Sequence, residues 1–216
     1  MTPSLPGSLA LQVAGDEVLL LPDRALFWRD ALILADLHLG KGDTFRQRGL
    51  PLPPGELDED LARVGALVGA TGARRVLVLG DFVHGVILPS TRVAVARWRA
   101  TLGAQVGRVR GNHDRHEPEL PPEWNVDDLG AIHREGPFAL VHEPVPVPGA
   151  FTWAGHVHPT VSLRGRADRL RFPAFILGGT LGVLPAFARF SGGPGLRATD
   201  GLRRFACTPA GIVALG

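Results

Sequence analysis

The sequence predicts an α/β fold in which two β-sheets pack face to face with helices outside, and three observations predict it. In the first half, short apolar runs at 18–21, 31–35, 76–79 and 106–110 alternate with helical patterns, as in a parallel sheet whose strands are buried on both faces. In the second half, strand-like runs follow one another with few helices between them, which is closer to an antiparallel sheet. No linker divides the chain, so residues 1–216 read as one domain with a large core.

The elements justify this reading in order. Runs 18–21 and 31–35 open a sheet, separated by Pro22, Asp23, Arg29 and Asp30. Residues 56–68 carry Leu57, Leu61, Val64, Leu67 and Val68 at the spacing of an amphipathic helix, with Gly69 and Gly72 as terminators. The run 76–79 ends at Gly80-Asp81, Ser90-Thr91 would cap a helix reaching about Leu102, and the run 106–110 ends at Gly111-Asn112-His113-Asp114. Strands are then expected at 138–142, 151–154, 161–163, 172–177, 202–206 and 212–215.

Composition narrows the class of protein. An apolar fraction of 45% with 20% charged residues fits a globular chain and argues against disorder. The pI of 9.4 beside a net charge of only +2 reflects the lack of Tyr, a single Lys (Lys41) and cations that are nearly all Arg. It is no sign of a strongly basic surface. One cysteine, Cys207, excludes an intrachain disulfide and suits a reducing compartment. The N-terminal segment lacks a basic region followed by an apolar run, and no stretch approaches the roughly 20 apolar residues of a membrane span. A cytoplasmic protein that keeps off the membrane is the expectation.

The informative pattern is where the polar residues fall. Five apolar runs each end in a loop that opens with metal-ligand chemistry: Asp36 and His38; Asp81 with His84; Asn112, His113 and Asp114; His142; His156 and His158. Loops at the carboxyl ends of parallel strands converge on one side of a sheet. Of 8 histidines, all but His133 lie in these loops or, for His116, just beyond one. Any one motif occurs often by chance, whereas five in order at strand ends do not. The donors are oxygen and nitrogen with no thiolate, which suits first-row divalent cations better than Mg²⁺ or a structural zinc site.

Asp36-x-His38, Gly80-Asp81, Gly111-Asn112-His113-Asp114, His142 and Gly155-His156-x-His158 together resemble the signature of the calcineurin-like metallophosphoesterase superfamily. The segments around Ala35–Lys41, Gly155–Pro159 and Leu184-Pro185-Ala186-Phe187, before Ser191-Gly192-Gly193, are similar to its bacterial ligase-associated DNA-damage-response group. The resemblance implies a two-sheet αββα sandwich and two divalent metal ions, Mn²⁺ first, with Zn²⁺, Fe or Ni²⁺ as alternatives. It implies that Asp36, His38, Asp81 and His158 hold one ion, and Asp81, Asn112, His142 and His156 the other. It further implies hydrolysis of a phosphodiester by a metal-bound hydroxide, with His113 as the acid for the leaving oxygen and Asp114 orienting its ring.

Nucleic acid is the substrate the resemblance implies, with a ligase, helicase or exonuclease as repair partners. A small-molecule phosphoesterase acting on nucleotides, cyclic nucleotides or nucleotide diphosphates is the competing expectation, and an inactive metal-binding scaffold a third. His84, Lys41 and Arg46 follow ligand loops and are candidates for supporting the ligands or touching substrate. His133 reads as a solvated loop residue, and Trp28, Trp98, Trp124 and Trp153 as core or packing residues, Trp153 being the one of the four able to line the cleft. Glu143-Pro144 after His142 departs from the His-Pro usual in the ligase-associated group.

Overall fold

The computed structural model describes residues 5–47, 49–50, 55–116, 119–164, 169–189, 191, 193 and 201–215. The first sheet runs in chain order through β1 (Leu9–Val13), β2 (Asp16–Leu21), β3 (Ala25–Trp28), β4 (Ala31–Ala35), β5 (Arg75–Leu79), β6 (Gln105–Val109) and β7 (Val126–Asp128). The pairings from β1 to β4 are antiparallel and those from β4 to β7 parallel. Between these strands lie α1 (Lys41–Gln47), α2 (Glu56–Thr71) and α3 (Pro89–Thr101).

Alternation along the parallel strands divides the core into two layers. Leu32, Leu34, Val76 and Val78 pack toward Leu61 and Val64 of α2 and Val95 and Trp98 of α3. The intervening Ile33, Leu77 and Val109 pack toward Phe138, Leu140, Trp153 and Phe175 of the second sheet. Each fully buried aliphatic side chain contributes about 1.5–3 kcal/mol, and strands loaded on both faces need the continuous apolar runs seen in the sequence.

The second sheet contains β8 (Ile132–Glu135), β9 (Phe138–Val141), β10 (Phe151–Ala154), β11 (Thr160–Arg164), β12 (Arg169–Leu177), β13 (Leu181–Val183), β14 (Arg203–Thr208) and β15 (Gly211–Leu215). Its order is β15-β14-β12-β13-β10-β9-β8, with β11 hydrogen-bonded to β12. The molecule is therefore a two-sheet sandwich with α2 and α3 on the outer face of the first sheet. Among the described residues, the apolar clusters on the outer face of the second sheet draw only on strands and loops, including Val147.

Three expectations need correction. The second sheet is mixed, because β9, β10 and β13 run parallel. Their crossovers are a loop and an antiparallel strand pair where helices are usual, so the lack of helical pattern gave no warning. Helix α3 starts from Leu88 with Pro89 at its first position, a place proline favours, and the hydroxyls of Ser90 and Thr91 instead donate to Asp43, at 3.2 and 2.9 Å. Helix α2 passes Gly69 and ends at Thr71, where the Gly72 N–H reaches the Val68 carbonyl at 2.9 Å. Among the described residues, no helix is long and apolar enough to cross a membrane.

Candidate metal centre

Five strands deliver their carboxyl ends to one place: β4 leads to Asp36, β5 to Asp81, β6 to Asn112, β9 to His142 and β10 to His156. The loops are tied through the main chain. His38 N donates to the Asp81 carbonyl (2.8 Å), Leu39 N to that of Phe82 (2.9 Å) and Gly155 N to that of His142 (3.0 Å). Behind them, Phe187 N donates to the Ala35 carbonyl at 2.8 Å, so the segment after β13 braces the Asp36 loop.

Two groups of donors result. Asp36, His38 and His158 form one, and Asp81, His142 and His156 the other, with the ligand atoms of each group within 4.8 Å of one another. His158 Nε2 lies 3.3 Å from Asp36 Oδ1. Asp81 reaches both groups, with Oδ2 at 3.9 Å from His38 Nε2 and Oδ1 at 3.4 Å from His142 Nε2. Asn112 Oδ1 adds an amide oxygen 2.8 Å from His142 Nε2.

The chemistry of these donors fits a pair of divalent cations. Nδ1 of His142 lies 3.0 Å from the Leu79 carbonyl, which can only accept, so in the neutral ring Nδ1 carries the proton and Nε2 is bare. That lone pair faces Asn112 Oδ1 at 2.8 Å and His156 Nδ1 at 3.0 Å. Asn112 Oδ1 and a bare Nε2 are both acceptors and repel at such a distance unless a proton or cation lies between them, and with His156 Nδ1 also bare a cation would serve all three. Burial, reinforced by Lys41 and the neighbouring histidines, holds the His38 pKa far below its ordinary value, leaving its ring in the neutral form that binds metal. Burial also raises the Asp81 pKa, aided by the Asp36 carboxylate and opposed by His142 and the His113 N–H. Both carboxylates are buried, at 0% and 2% exposure, and a divalent cation reverses that penalty.

The backbone at the ligands is itself unusual. Asp36, His38, Asp81, His156 and His158 all have positive φ, from 48° to 70°. Asp and His tolerate this region better than most residues, yet it still costs on the order of 1–3 kcal/mol each and collects at functional sites. Two glycines let the loops meet. A Cβ on Gly111 would sit 2.2 Å from Asp81 N, and one on Gly80, at φ +75°, would sit 2.3 Å from the His142 ring.

The remaining candidates fall in different places. His113 N donates to Asp81 Oδ1 at 2.9 Å, and its ring stacks on His84 with centroids 4.7 Å apart. His84 also approaches His38, Nδ1 to Nδ1 at 3.4 Å. The Asp114 carboxylate accepts from Val83 N (3.1 Å) and Gly111 N (2.8 Å), which fastens the loop around His113. Lys41 Nζ reaches Ser191 Oγ at 3.3 Å, and burial lowers its pKa. Arg46 pairs with Asp43 at 2.5 Å and Glu56 at 3.0 Å, so it braces α1 against α2.

Trp153 is fully buried among Phe138, Phe151 and Gly182 and does not line the cleft. His133 sits on β8 facing Glu135 rather than in a loop. The side chain of His116 and all of Gly192 lie outside the described residues. Sequence reasoning missed Asp43, Ser191 and the Phe187–Ala188 brace. Their only signal was position, beside a ligand loop or in the Leu184–Ser191 segment.

No family model and no curated protein matches the chain. Among solved structures, a protein of unknown function from Aquifex aeolicus shares 18% identity over 59% of this chain and 78% of its own, with a TM-score of 0.41. The crystal structure of the nuclease MPE from Pseudomonas putida shares 32% identity over 96% of this chain and 100% of its own, with a TM-score of 0.85. With that likeness running from end to end, and both donor groups in place, the chain belongs to the calcineurin-like metallophosphoesterase superfamily.

Proposed function

We propose that the chain is a nuclease that hydrolyses phosphodiester bonds in nucleic acid with two divalent cations. The observation that carries this is the pair of donor groups sharing Asp81, in a chain 32% identical to a nuclease over almost its whole length. When bound, the cations supply Lewis acidity toward water and phosphate oxygens. Mn²⁺ is the proposed metal, supported by a mixed oxygen and nitrogen donor set.

The chain's own residues divide the remaining work. Asp36, His38 and His158 would hold one ion and Asn112, His142 and His156 the other, with Asp81 able to serve both. His113, held by its N–H on Asp81, gives a proton to the departing oxygen. Asp114 keeps His113 in place through the loop backbone, by its bonds to Val83 and Gly111. The Lys41 ammonium, tethered to Ser191, faces the phosphate, and His84 packs behind His113. Residues 1–216 act as one metallophosphoesterase domain. The lone cysteine, Cys207, which is buried as a free thiol, supports a reducing, cytoplasmic setting. DNA repair is the proposed context, with a ligase, helicase or exonuclease as companions.

The test compares wild type with His113→Ala in excess Mn²⁺ on plasmid, oligonucleotides, bis(p-nitrophenyl) phosphate and nucleotide diesters. Turnover of DNA is expected, falling by about 10²–10⁴-fold in the variant while metal content is kept. Cleavage of nucleotide diesters without binding or cutting of DNA at low salt would move the assignment to a small-molecule phosphoesterase.

A further inference from the structure

Two residues after His158 the chain leaves the metal centre as a hairpin, in which β11 pairs with β12 alone. Its positions alternate between two faces. Val161, Leu163, Phe172 and Ala174 join the apolar cluster on the outer side of the second sheet. The intervening positions are Thr160, Ser162 and Arg164, opposite Pro173, Arg171 and Arg169. Arginine fills three of these six positions and an acid none. From Pro159 to Gly193 the sequence sets five arginines against a single acid, Asp168. Arg171 shows where this face leads. Its Nε donates to Thr160 Oγ1 at 2.6 Å and its Nη2 to the Gly193 carbonyl. Gly193 in turn lies so near His158 that a Cβ would collide with the His158 carbonyl oxygen. Ser191 accepts from Lys41 Nζ at 3.3 Å. Arg171 is thereby one residue removed from a candidate ligand, on the side of the centre where Lys41 stands.

We infer that the arginine-bearing face of the β11–β12 hairpin is the track along which the sugar–phosphate backbone of the nucleic acid runs away from the metal centre. The inference rests on the nuclease reading above. Charge separates this face from the rest of the surface. Arg46, Arg63, Arg75 and Arg110 each meet a carboxylate, which cancels their charge locally. Among the described residues Arg171 is exposed and meets only neutral oxygens, a hydroxyl and a carbonyl, so its charge is left for an incoming anion. A guanidinium matches phosphate oxygens through paired donors, and such contacts fix the path of a strand without reading its sequence. Arg169 and Arg171 are two residues apart, about 6.5 Å along the strand, which lets them serve successive phosphates. The opposite, apolar face keeps the hairpin seated on the sheet, so the track is held on rigid backbone rather than on a loop.

The experiment uses the purified full chain with Mn²⁺ and measures kcat/KM over a series of KCl concentrations. The substrates are an oligonucleotide and bis(p-nitrophenyl) phosphate, which is too small to reach the hairpin from the metals. Arg164→Gln/Arg169→Gln should lower the ratio of oligonucleotide to small-diester kcat/KM at least about tenfold at low salt. The slope of log kcat/KM against log salt should flatten by about 0.7–0.9 for each arginine removed. Arg171→Gln keeps a donor for the Gly193 carbonyl and should flatten it by one such step. Arg97→Gln removes the same charge from an exposed position on α3 and should leave both ratio and slope as in wild type. An unchanged ratio and slope in the hairpin variants, or an equal change in Arg97→Gln, overturns the inference while leaving the nuclease reading intact. Failure of wild type to cut the oligonucleotide, with bis(p-nitrophenyl) phosphate still hydrolysed, removes the nuclease reading and the track with it.

Discussion

The backbone N–H of His156 donates to both carboxylate oxygens of Asp36, at 3.2 and 3.0 Å. Asp36 follows β4 of one sheet and His156 follows β10 of the other, so a single carboxylate ties the two sheets together at the candidate metal centre. Asp36→Ala removes a donor and a bond to a charged group worth about 1.5–3 kcal/mol. The expected outcome is a lower melting temperature together with loss of metal, read by thermal unfolding and elemental analysis of the same sample.

Asp81 and His156 should behave differently on titration with Mn²⁺. Asp81 faces both donor groups, so Asp81→Ala is expected to weaken both binding events. His156, exposed and confined to one group, should spare the other when changed to Ala. Isothermal titration would separate them, and equal loss of both ions in the two variants would contradict the shared role of Asp81.

Asp114→Ala leaves the buried N–H groups of Val83 and Gly111 without their acceptor and deprives buried Arg108, 3.9 Å away, of a counter-charge. A buried unpaired polar group costs about 1–3 kcal/mol. Denaturant unfolding should show a loss of at least that size, and the DNA cleavage rate should fall with the loop.

Gly111→Ala forces a methyl group against the Asp81 backbone. Overpacking of this kind costs roughly 1–3 kcal/mol. Because the atoms displaced belong to Asp81, the proposed shared ligand, weaker Mn²⁺ binding should accompany the loss of stability, measured by melting with and without metal.

Far from the centre, Arg75 donates to Glu135 at 2.8 and 2.9 Å and to Asp30 at 2.6 and 3.2 Å, holding both carboxyls below their usual range. Their contribution is fully present above the unfolded pKa values of about 3.9 and 4.3 and is lost as pH falls through the lower folded values. Arg75→Gln should therefore melt below wild type at neutral pH, with the gap closing in strong acid. A constant gap across pH would refute this account.

Much of the centre was legible in the sequence because chemistry and architecture share a signal there. Apolar strands end where backbone turns and polar donors begin, so Asp36, Asp81, Asn112, His142 and His156 marked themselves. Helix α2 announced itself by the spacing of Leu57, Leu61, Val64, Leu67 and Val68, all of which turn toward the core. Strands β1 and β3 were harder to see: β1 alternates only weakly, and β3 merges with its turns. The parallel pairing of β9 with β10 depends on a loop crossover that leaves no periodicity behind. Side-chain partnerships were illegible in principle. Arg46 reads as a solvated cation until Asp43 and Glu56 come to meet it, and the choice between core and cleft for Trp153 is settled by Gly182, which makes room for its ring.

The ligand loops are laced to one another by amide-to-carbonyl bonds, from His38 to Asp81, Leu39 to Phe82 and Gly155 to His142. Main-chain lacing is blind to the identity of any ion held above it. Exchange of one transition metal for another should thus retune reactivity while the cradle keeps its shape, giving an organism latitude to run the same scaffold on whichever cation is plentiful.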